Sequence, residues 1–239
     1  MKVQRIVFLL LSSILLLWAV APAPDVAAGG EAVITEEPKY IALTFDDGPR
    51  ADTTGRLLDG LKERGAKATF FLIGSQIAGN AALVQRMRDE GHQVGSHTWS
   101  HARLQGQSCS VVSEEISRTD AALRSVLGDG EYWVRPPYGQ LDKCQESIFS
   151  VPLVKWSVDP RDWEVKNADK DVAAVLKNAQ PGDIILMHDT VPASVDAALC
   201  IVDKLQTQGY HFVTVQELLE HKGIVPQPGV MYYSDHKYR

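Results

Sequence analysis

Residues 40–49 read YIALTFDDGP and carry the clearest structural signal in the chain. An apolar run at 40–45 is followed by four turn-forming residues, which predicts a buried strand that ends in a turn. Along the rest of the chain, similar strand patterns alternate with apolar residues at helical spacing. Six further strands are predicted, at 68–73, 92–96, 132–135, 153–158, 183–187 and 212–215. Five helices are predicted, at 53–64, 80–90, 109–127, 172–179 and 193–208.

This alternation predicts an α/β fold in which parallel strands are joined by crossover helices. Seven strands favour a barrel-like domain over an open sheet, although the pattern alone does not require closure. The length of 239 residues allows one domain or at most two. With 45% hydrophobic and 23% charged residues, the composition is that of a globular protein. The net charge of -6 argues against a nucleic-acid partner, because phosphate binding needs a basic patch.

The N-terminus has the layout of a secretory signal. Lys2 and Arg5 precede an apolar stretch at 6–20, and small residues follow it as far as Ala28. This pattern predicts a signal peptide over 1–28. The alternative is an uncleaved membrane anchor, which the apolar stretch is short for, because spanning a bilayer takes about 20 residues. Either interpretation places the rest of the chain outside the cytoplasm, as a secreted or cell-surface protein.

Charged side chains follow the ends of five predicted strands. They are Asp46 and Asp47, His97, Arg135, Asp159 and Asp162, and His188. The loops after the carboxyl ends of parallel strands share one face, so these groups are expected to meet in one cleft. The three cysteines, Cys109, Cys144 and Cys200, match no metal-binding spacing, and which of them pair is left open.

The pair His97 and His101 is a candidate for metal binding. On a helical turn, an i, i+4 pair lies on one face, so both imidazoles can reach one ion. Together with Asp47 they make a three-ligand site with open positions, the design of a catalytic metal. Zinc is the expected ion, with cobalt or manganese as alternatives. Non-haem iron oxygenases share this ligand set, but they would need short antiparallel strands rather than alternating strands and helices.

Asp46 and Asp47 leave an extended strand, where adjacent side chains point in different directions. One can bind a metal while the other faces the metal's water as a base. The alternative is that the two residues only form a turn. His188, at a strand end, is a candidate general acid because its pKa lies near working pH. The sequence has no GxSxG motif and no cysteine in a nucleophile setting, which argues against covalent acyl-enzyme chemistry.

Five short motifs occur in a fixed order: TFDDGP at 44–49, HTWSH at 97–101, RPPYG at 135–139, DPRDW at 159–163 and LMH at 186–188. In this order they resemble the polysaccharide deacetylases with a NodB-like domain, carbohydrate esterase family 4. The resemblance implies a distorted (β/α)7 barrel as a single domain over residues 39–220. It leaves a linker at 29–38 and a C-terminal extension at 221–239, expected to lie over the domain.

The resemblance also implies a role for each matched residue. Asp46 is the expected catalytic base, oriented by Arg135, and His188 is the expected general acid, tuned by Asp162. The expected metal ligands are Asp47, His97 and His101. The expected substrate-binding residues are Tyr138 through its backbone N–H, Trp163 and Leu186 around the acetyl group, and Trp99 and Tyr138 through stacking on sugar rings. Trp156 is assigned to the core.

The activity implied is metal-dependent hydrolysis of N-acetyl groups on a polysaccharide built from N-acetylglucosamine. Peptidoglycan is the favoured substrate, with chitin oligomers as another. An O-acetyl esterase acting on a xylan-like polymer remains an alternative. So does a non-catalytic sugar-binding protein, although such a protein would be expected to have lost a ligand or Asp46. A membrane contact is expected only through an uncleaved N-terminal segment, and the oligomeric state is left open.

Overall fold

A parallel sheet around β1 organises the protein, which is described here by a computed structural model over residues 37–238. The strands are β1 (Lys39–Asp46), β2 (Thr69–Leu72), β3 (Gln93–Ser96), β4 (Leu153–Val154), β5 (Ile184–His188), β6 (Tyr210–Val213), β7 (Met231–Ser234) and β8 (Lys237–Tyr238). The helices are α1 (Thr54–Glu63), α2 (Gly74–Ile77), α3 (Ala81–Asp89), α4 (Cys109–Leu127), α5 (Asp162–Val165), α6 (Ala168–Asn178), α7 (Pro192–Gln206) and α8 (Val215–His221). The predicted signal peptide or anchor at 1–28 lies outside the described residues.

Within residues 37–238, no helix has both the length and the apolar character that crossing a membrane requires.

The central sheet has the order β3-β2-β1-β5, and β6 pairs with the first half of β1. All of these pairings are parallel, as the alternation of strands and helices predicts. Residues 41–46 of β1 are buried, which is expected of a strand with neighbours on both sides and layers on both faces. The register sets Asp46 beside His188, so the ends of β1 and β5 place these two residues at the same edge of the sheet.

Helices α1, α3 and α7 cover one face of this sheet through fully buried side chains. Leu57, Leu61, Met87, Ile201 and Val202 belong to the main core cluster and have no exposed surface. The helix boundaries follow from capping. For example, α6 begins earlier than the predicted 172–179 because the Asn167 side chain accepts the Lys170 backbone N–H.

The predicted strand at 132–135 is wrong in extent. Only Val134 pairs, through single parallel bridges to Ser96 and Leu153. Pro136 and Pro137 follow at once, and proline has no N–H to continue a ladder. The predicted strand at 153–158 likewise pairs only over β4, with a further bridge between Val158 and Ile185.

The C-terminal segment adds two short strands to the structure. Strand β7 pairs in parallel with β4 and antiparallel with β8. A single antiparallel bridge joins Asp183 to Ser234. The described residues therefore form a single α/β domain with a parallel sheet. Cys109, Cys144 and Cys200 are all free thiols.

Candidate active site

A cavity of about 390 Å³ lies where β1 and β5 end and where the loop after β3 begins. It is lined by Asp46, Asp47, His97, His101, Tyr138, Trp156, Asp159, Trp163, Leu186 and His188. Each of the five sequence motifs thus contributes at least one residue to this lining, and the RPPYG motif contributes Tyr138. A cavity of this size falls in the range of small-molecule sites.

Asp47, His97 and His101 form a cluster that fits a divalent cation. One ligand atom from each residue lies within 4.8 Å of the other two. The Oδ1 atom of Asp47 is 3.3 Å from Nε2 of His101 and 3.6 Å from Nε2 of His97. This Oδ1 is buried and has no hydrogen-bond partner among the described residues. A buried carboxylate oxygen without a partner is costly, and a bound cation would satisfy it.

His97 is held in the tautomer that metal binding requires. Its Nδ1 lies 2.7 Å from the carbonyl oxygen of Arg135, which can only accept, so Nδ1 carries the proton. Nε2 is therefore left with its lone pair toward Asp47. Burial lowers the pKa of His97 and outweighs the charges of Asp46 and Asp47, which act to raise that pKa. The neutral imidazole is therefore favoured.

The rationale that His97 and His101 share a helical face is wrong, because residues 97–101 form a loop. Thr98 and His101 have φ values of 66° and 60°, in the left-handed region. The carbonyl groups of Thr98 and Trp99 accept the backbone N–H groups of Gly74 and Ser75 at the start of α2. This anchored loop brings the two imidazole rings to 4.9 Å between centroids. Such backbone conformations cost about 1–3 kcal/mol each, and they cluster at functional sites.

Asp46 has different partners from its neighbour Asp47. Its Oδ1 accepts a hydrogen bond of 2.8 Å from Nη1 of Arg135, and its Oδ2 lies 3.6 Å from Nε2 of His97. Arg135 is fully buried and lies behind Asp46 rather than in the cavity lining. Its guanidinium also donates to the Thr44 hydroxyl and to the Lys155 carbonyl. A buried ion pair held by this many hydrogen bonds fixes the direction of the Asp46 carboxylate.

His188 and Asp162 form a second pair at the cavity, in which Asp162 is fully buried and His188 is largely buried. Asp162 accepts 2.8 Å hydrogen bonds from both Nδ1 and the backbone N–H of His188. Nε2 is therefore the free ring nitrogen of His188. Burial lowers the pKa of His188, but the hydrogen bond and charge of Asp162, with Asp46 and Asp47, outweigh this and raise it to about 9. A cation bound at Asp47 would oppose part of this rise.

Aromatic and apolar side chains form the remaining walls. Tyr138 has a φ of 61° and is 51% exposed, and its ring meets the edge of His101 at 5.1 Å between centroids. Trp163 is 49% exposed on α5, and Leu186 is buried on β5. These three residues were predicted to bind substrate, and the structure places them in the cavity lining.

The structure places two tryptophans in positions that the sequence did not fully predict. Trp99 does not line the cavity, because its ring packs beneath Arg118 of α4, whose Cζ is 4.3 Å from the ring. Trp156 packs against a core cluster, as predicted, and also lines the cavity. In a continuous strand it would share the inward face with buried Val154. Strand β4 ends at Val154, however, so the alternation stops before Trp156.

Two further acidic groups lie at the site: Asp159, which was expected in the cleft, and Asp189, which had no predicted role. Asp159 lines the cavity and accepts the Arg161 backbone N–H. Asp189 is fully buried and accepts from the Thr54 hydroxyl, and burial raises the pKa of Asp189 to about 7 against that hydrogen bond. A Cβ on Gly48 would lie 2.4 Å from an Asp189 oxygen, so the turn after Asp47 requires glycine. The signal for Asp189 was its position directly after His188.

The fold and the site define a class of α/β proteins that have a cluster of two histidines and one aspartate. Two pairs of charged residues, Asp46–Arg135 and His188–Asp162, accompany this cluster. Residues 34–148 match the family model described as polysaccharide deacetylase. The chain is 45% identical over 187 residues to the peptidoglycan-N-acetylglucosamine deacetylase PgdA of Listeria monocytogenes, covering 77% of this chain and 40% of that protein. The chain thus spans 40% of the length of the Listeria protein.

Two solved structures are similar over nearly their whole length. The peptidoglycan deacetylase PdaC from Bacillus subtilis is 40% identical with a TM-score of 0.76, covering 78% of this chain and 92% of that one. A family 4 acetyl xylan esterase from Clostridium thermocellum, solved in complex with a cobalt ion, is 33% identical with a TM-score of 0.78, covering 82% and 98%. The chain belongs to the polysaccharide deacetylase family.

Proposed function

We propose that this protein is a metal-dependent hydrolase that removes N-acetyl groups from an N-acetylglucosamine polysaccharide. The observation that carries the proposal is the placement of Asp47, His97 and His101 between the Asp46–Arg135 pair and the His188–Asp162 pair. One group can accept a proton, another can donate one, and the cluster between them fits a cation.

The residues divide the chemistry among themselves. A divalent cation held by Asp47, His97 and His101 would polarise the acetyl carbonyl and make water a better nucleophile. Asp46, held by Arg135, takes the proton from the attacking water. His188 donates the proton on Nε2 to the departing amine nitrogen, and Asp162 stabilises the charged imidazole. Leu186 and Trp163 enclose the acetyl methyl group, and Tyr138 supplies a backbone N–H to the oxyanion.

Peptidoglycan is the favoured substrate, supported by the names of the Listeria and Bacillus relatives. Chitin oligomers are a second possibility within the same reaction. The alternative, removal of O-acetyl groups from xylan, is supported by the Clostridium relative, an acetyl xylan esterase. A non-catalytic sugar-binding protein would not need Asp46, Asp47 and both histidines, which are all present here.

Zinc is the proposed ion, with cobalt or manganese as alternatives, because two imidazoles and one carboxylate suit all three. We also propose that the sheet closes into the distorted (β/α)7 barrel of the family. The single bridges at Val134, and between Asp183 and Ser234, support this closure. Secretion through the 1–28 signal remains a proposal, and N-terminal sequencing of exported protein that begins at Gly29 would support cleavage.

Acetate release tests the proposed function. The purified protein, loaded with zinc, is incubated with peptidoglycan, chitin oligomers and acetylated xylan, and free acetate is measured. We expect release from the N-acetylated substrates. Release from xylan alone would establish the esterase alternative, and no release from any of the three would overturn the assignment as a hydrolase.

A further inference from the structure

Three aromatic side chains in the cavity lining each lie next to a cation. The three pairs are Tyr138 with Arg103, at 4.7 Å from Cζ to the ring centroid, Trp156 with Lys155, at 5.7 Å from Nζ, and Trp163 with Arg161, at 5.9 Å from Cζ. Each distance is within the range of a cation–π interaction. The lining itself includes Asp46, Asp47 and Asp159, so these cations lie beside an acidic cavity.

Arg103 differs from Arg161 in how its charge is balanced. Arg161 pairs with Glu164, at 2.6 Å between Nη2 and Oε2. Arg103 is exposed and donates to the neutral amide oxygen of Gln140. In the part of the chain that the structure describes, Arg103 forms no ion pair with a carboxylate. Its positive charge is therefore available to a ligand, whereas that of Arg161 is already matched.

The guanidinium of Arg103 is separated from the metal-ligand candidate His101 by one ring, that of Tyr138. Its ring partner, Tyr138, contacts the metal-ligand candidate His101 at 5.1 Å between ring centroids. Two ring contacts therefore connect Arg103 to the metal-ligand cluster. Tyr138 is half exposed, so a ligand that extends out of the cavity over this ring would come near Arg103.

A second cation contacts the same turn. A Cβ on Gly139, the neighbour of Tyr138, would lie 2.5 Å from Cε of Lys155. The Nζ of Lys155 also lies over the ring of Tyr233 in β7, at 5.4 Å. Arg103 and Lys155 thus both pack against the Tyr138–Gly139 turn.

We propose that Arg103 binds a carboxylate of the substrate, and that this contact selects a carboxylate-bearing glycan over a neutral one. The inference rests on the proposed function. An arginine fork matches a carboxylate with two parallel hydrogen bonds. Tyr138 and Gln140 already hold the guanidinium in place, so less side-chain freedom is lost on binding. The carboxylate can belong to the sugar itself or to a peptide attached to it.

The test compares Arg103→Gln and Arg103→Lys with wild type on three zinc-dependent reactions. The substrates are neutral chitotetraose, a glycan of N-acetylglucosamine and N-acetylmuramic acid without peptide, and the same glycan with its stem peptide. We expect Arg103→Gln to raise KM about 3- to 10-fold on carboxylate-bearing substrate, with kcat unchanged, because a charged hydrogen bond at an exposed site is lost. Chitotetraose should show no change, and Arg103→Lys should keep part of the effect.

Arg118→Gln is the matched control. Arg118 is also an exposed arginine over an aromatic ring, at 4.3 Å from Trp99, but that ring lies outside the cavity lining. Its removal should leave KM unchanged on all three substrates. Added salt should raise the wild-type KM on the charged glycans, because salt screens the ionic contact with Arg103. The effect on Arg103→Gln should be smaller, because this variant lacks that contact.

Each outcome has a defined meaning. A rise in KM on both charged glycans identifies the carboxylate of the sugar, and a rise only with the stem peptide identifies the peptide. An equal rise on all three substrates, or on none, overturns the selection of a carboxylate while leaving the hydrolase in place. Calorimetric binding of the same glycans repeats the comparison without turnover. If the wild-type protein releases no acetate from any of the three substrates, the proposed function itself is wrong.

Discussion

Asparagine in place of Asp46 should leave the metal bound and lower the rate of acetate release by about 10²- to 10⁴-fold, the contribution typical of a positioned acid–base group. Asp46 accepts from Arg135 through Oδ1, at 2.8 Å, and asparagine keeps an oxygen that can accept this hydrogen bond. Its amide cannot take a proton from water. The change therefore removes the base while it preserves the buried arginine contact.

Alanine in place of the adjacent Asp47 should have the opposite effect on the metal. The Oδ1 atom of Asp47 is the buried oxygen without a partner that faces both His97 and His101. Its removal leaves two imidazoles and no charged ligand. Loss of a residue that only hydrogen-bonds to a metal ligand lowers metal affinity by about 10- to 100-fold. Loss of the ligand Asp47 itself should lower it by more. Chelation of the wild-type protein should abolish acetate release in the same way, and added zinc or cobalt should restore it.

Bound metal per chain, measured by elemental analysis beside the rate for each variant, distinguishes the two aspartates. Metal lost from Asp46→Asn but kept by Asp47→Ala would mean that the roles are reversed. Full activity in both variants would place the reaction elsewhere. Full activity in metal-free wild-type protein would remove the metal from the mechanism. The thermal unfolding midpoint of each variant serves as the control for folding.

The convergence of the charged residues could be predicted from the sequence because it depends on topology. Asp46 and His188 each end a strand, and parallel pairing of β1 with β5 sets the two strand ends side by side. Strands of a buried parallel sheet are near-continuous apolar runs, which are easily read from sequence. The different partners of Asp46 and Asp47 were expected from the alternation of an extended chain, but β1 ends at Asp46, and Asp47 has a φ of 72°, in the left-handed region.

The local geometry of the loops could not be predicted, because it depends on contacts distant in sequence. His97 and His101 meet only because the carbonyl groups of Thr98 and Trp99 accept hydrogen bonds from the start of α2. A helical turn would satisfy the same spacing, so the sequence could not distinguish the two arrangements. The position of Trp156 depends on where β4 stops, and element boundaries are the least reliable part of sequence interpretation.

Asparagine in place of Asp162 should slow the reaction at neutral pH and move the alkaline limit of activity to lower pH. Burial alone would lower the pKa of His188, and the hydrogen bond and charge of Asp162 are the main causes that overcome burial and raise this pKa to about 9. A general acid works only when protonated, so activity is present below this pKa and is lost as the pH rises through it. Without the charge of Asp162, burial dominates and that loss begins at lower pH.

The raised pKa of His188 also makes the free energy of unfolding depend on pH. Because the folded-state pKa of His188 is raised above the ordinary value of 6.5, its contribution to stability is complete below about pH 6.5 and disappears as the pH rises through about 9. Asp162→Asn should therefore reduce the difference in unfolding free energy between pH 6 and pH 9.

His188→Ala is the comparison that separates the two residues. It removes the general acid, so we expect a rate loss of about 10²- to 10⁴-fold. Without the imidazole, the fall of kcat/KM at alkaline pH should no longer depend on residue 162. The double variant should be no slower than His188→Ala, because Asp162 acts through the imidazole that it holds at 2.8 Å. The profile of kcat/KM from pH 5 to pH 10 measures the limb. An alkaline limb at the same pH in wild type and Asp162→Asn would show that His188 is not the group that titrates, and the leaving amine would then take its proton from another donor.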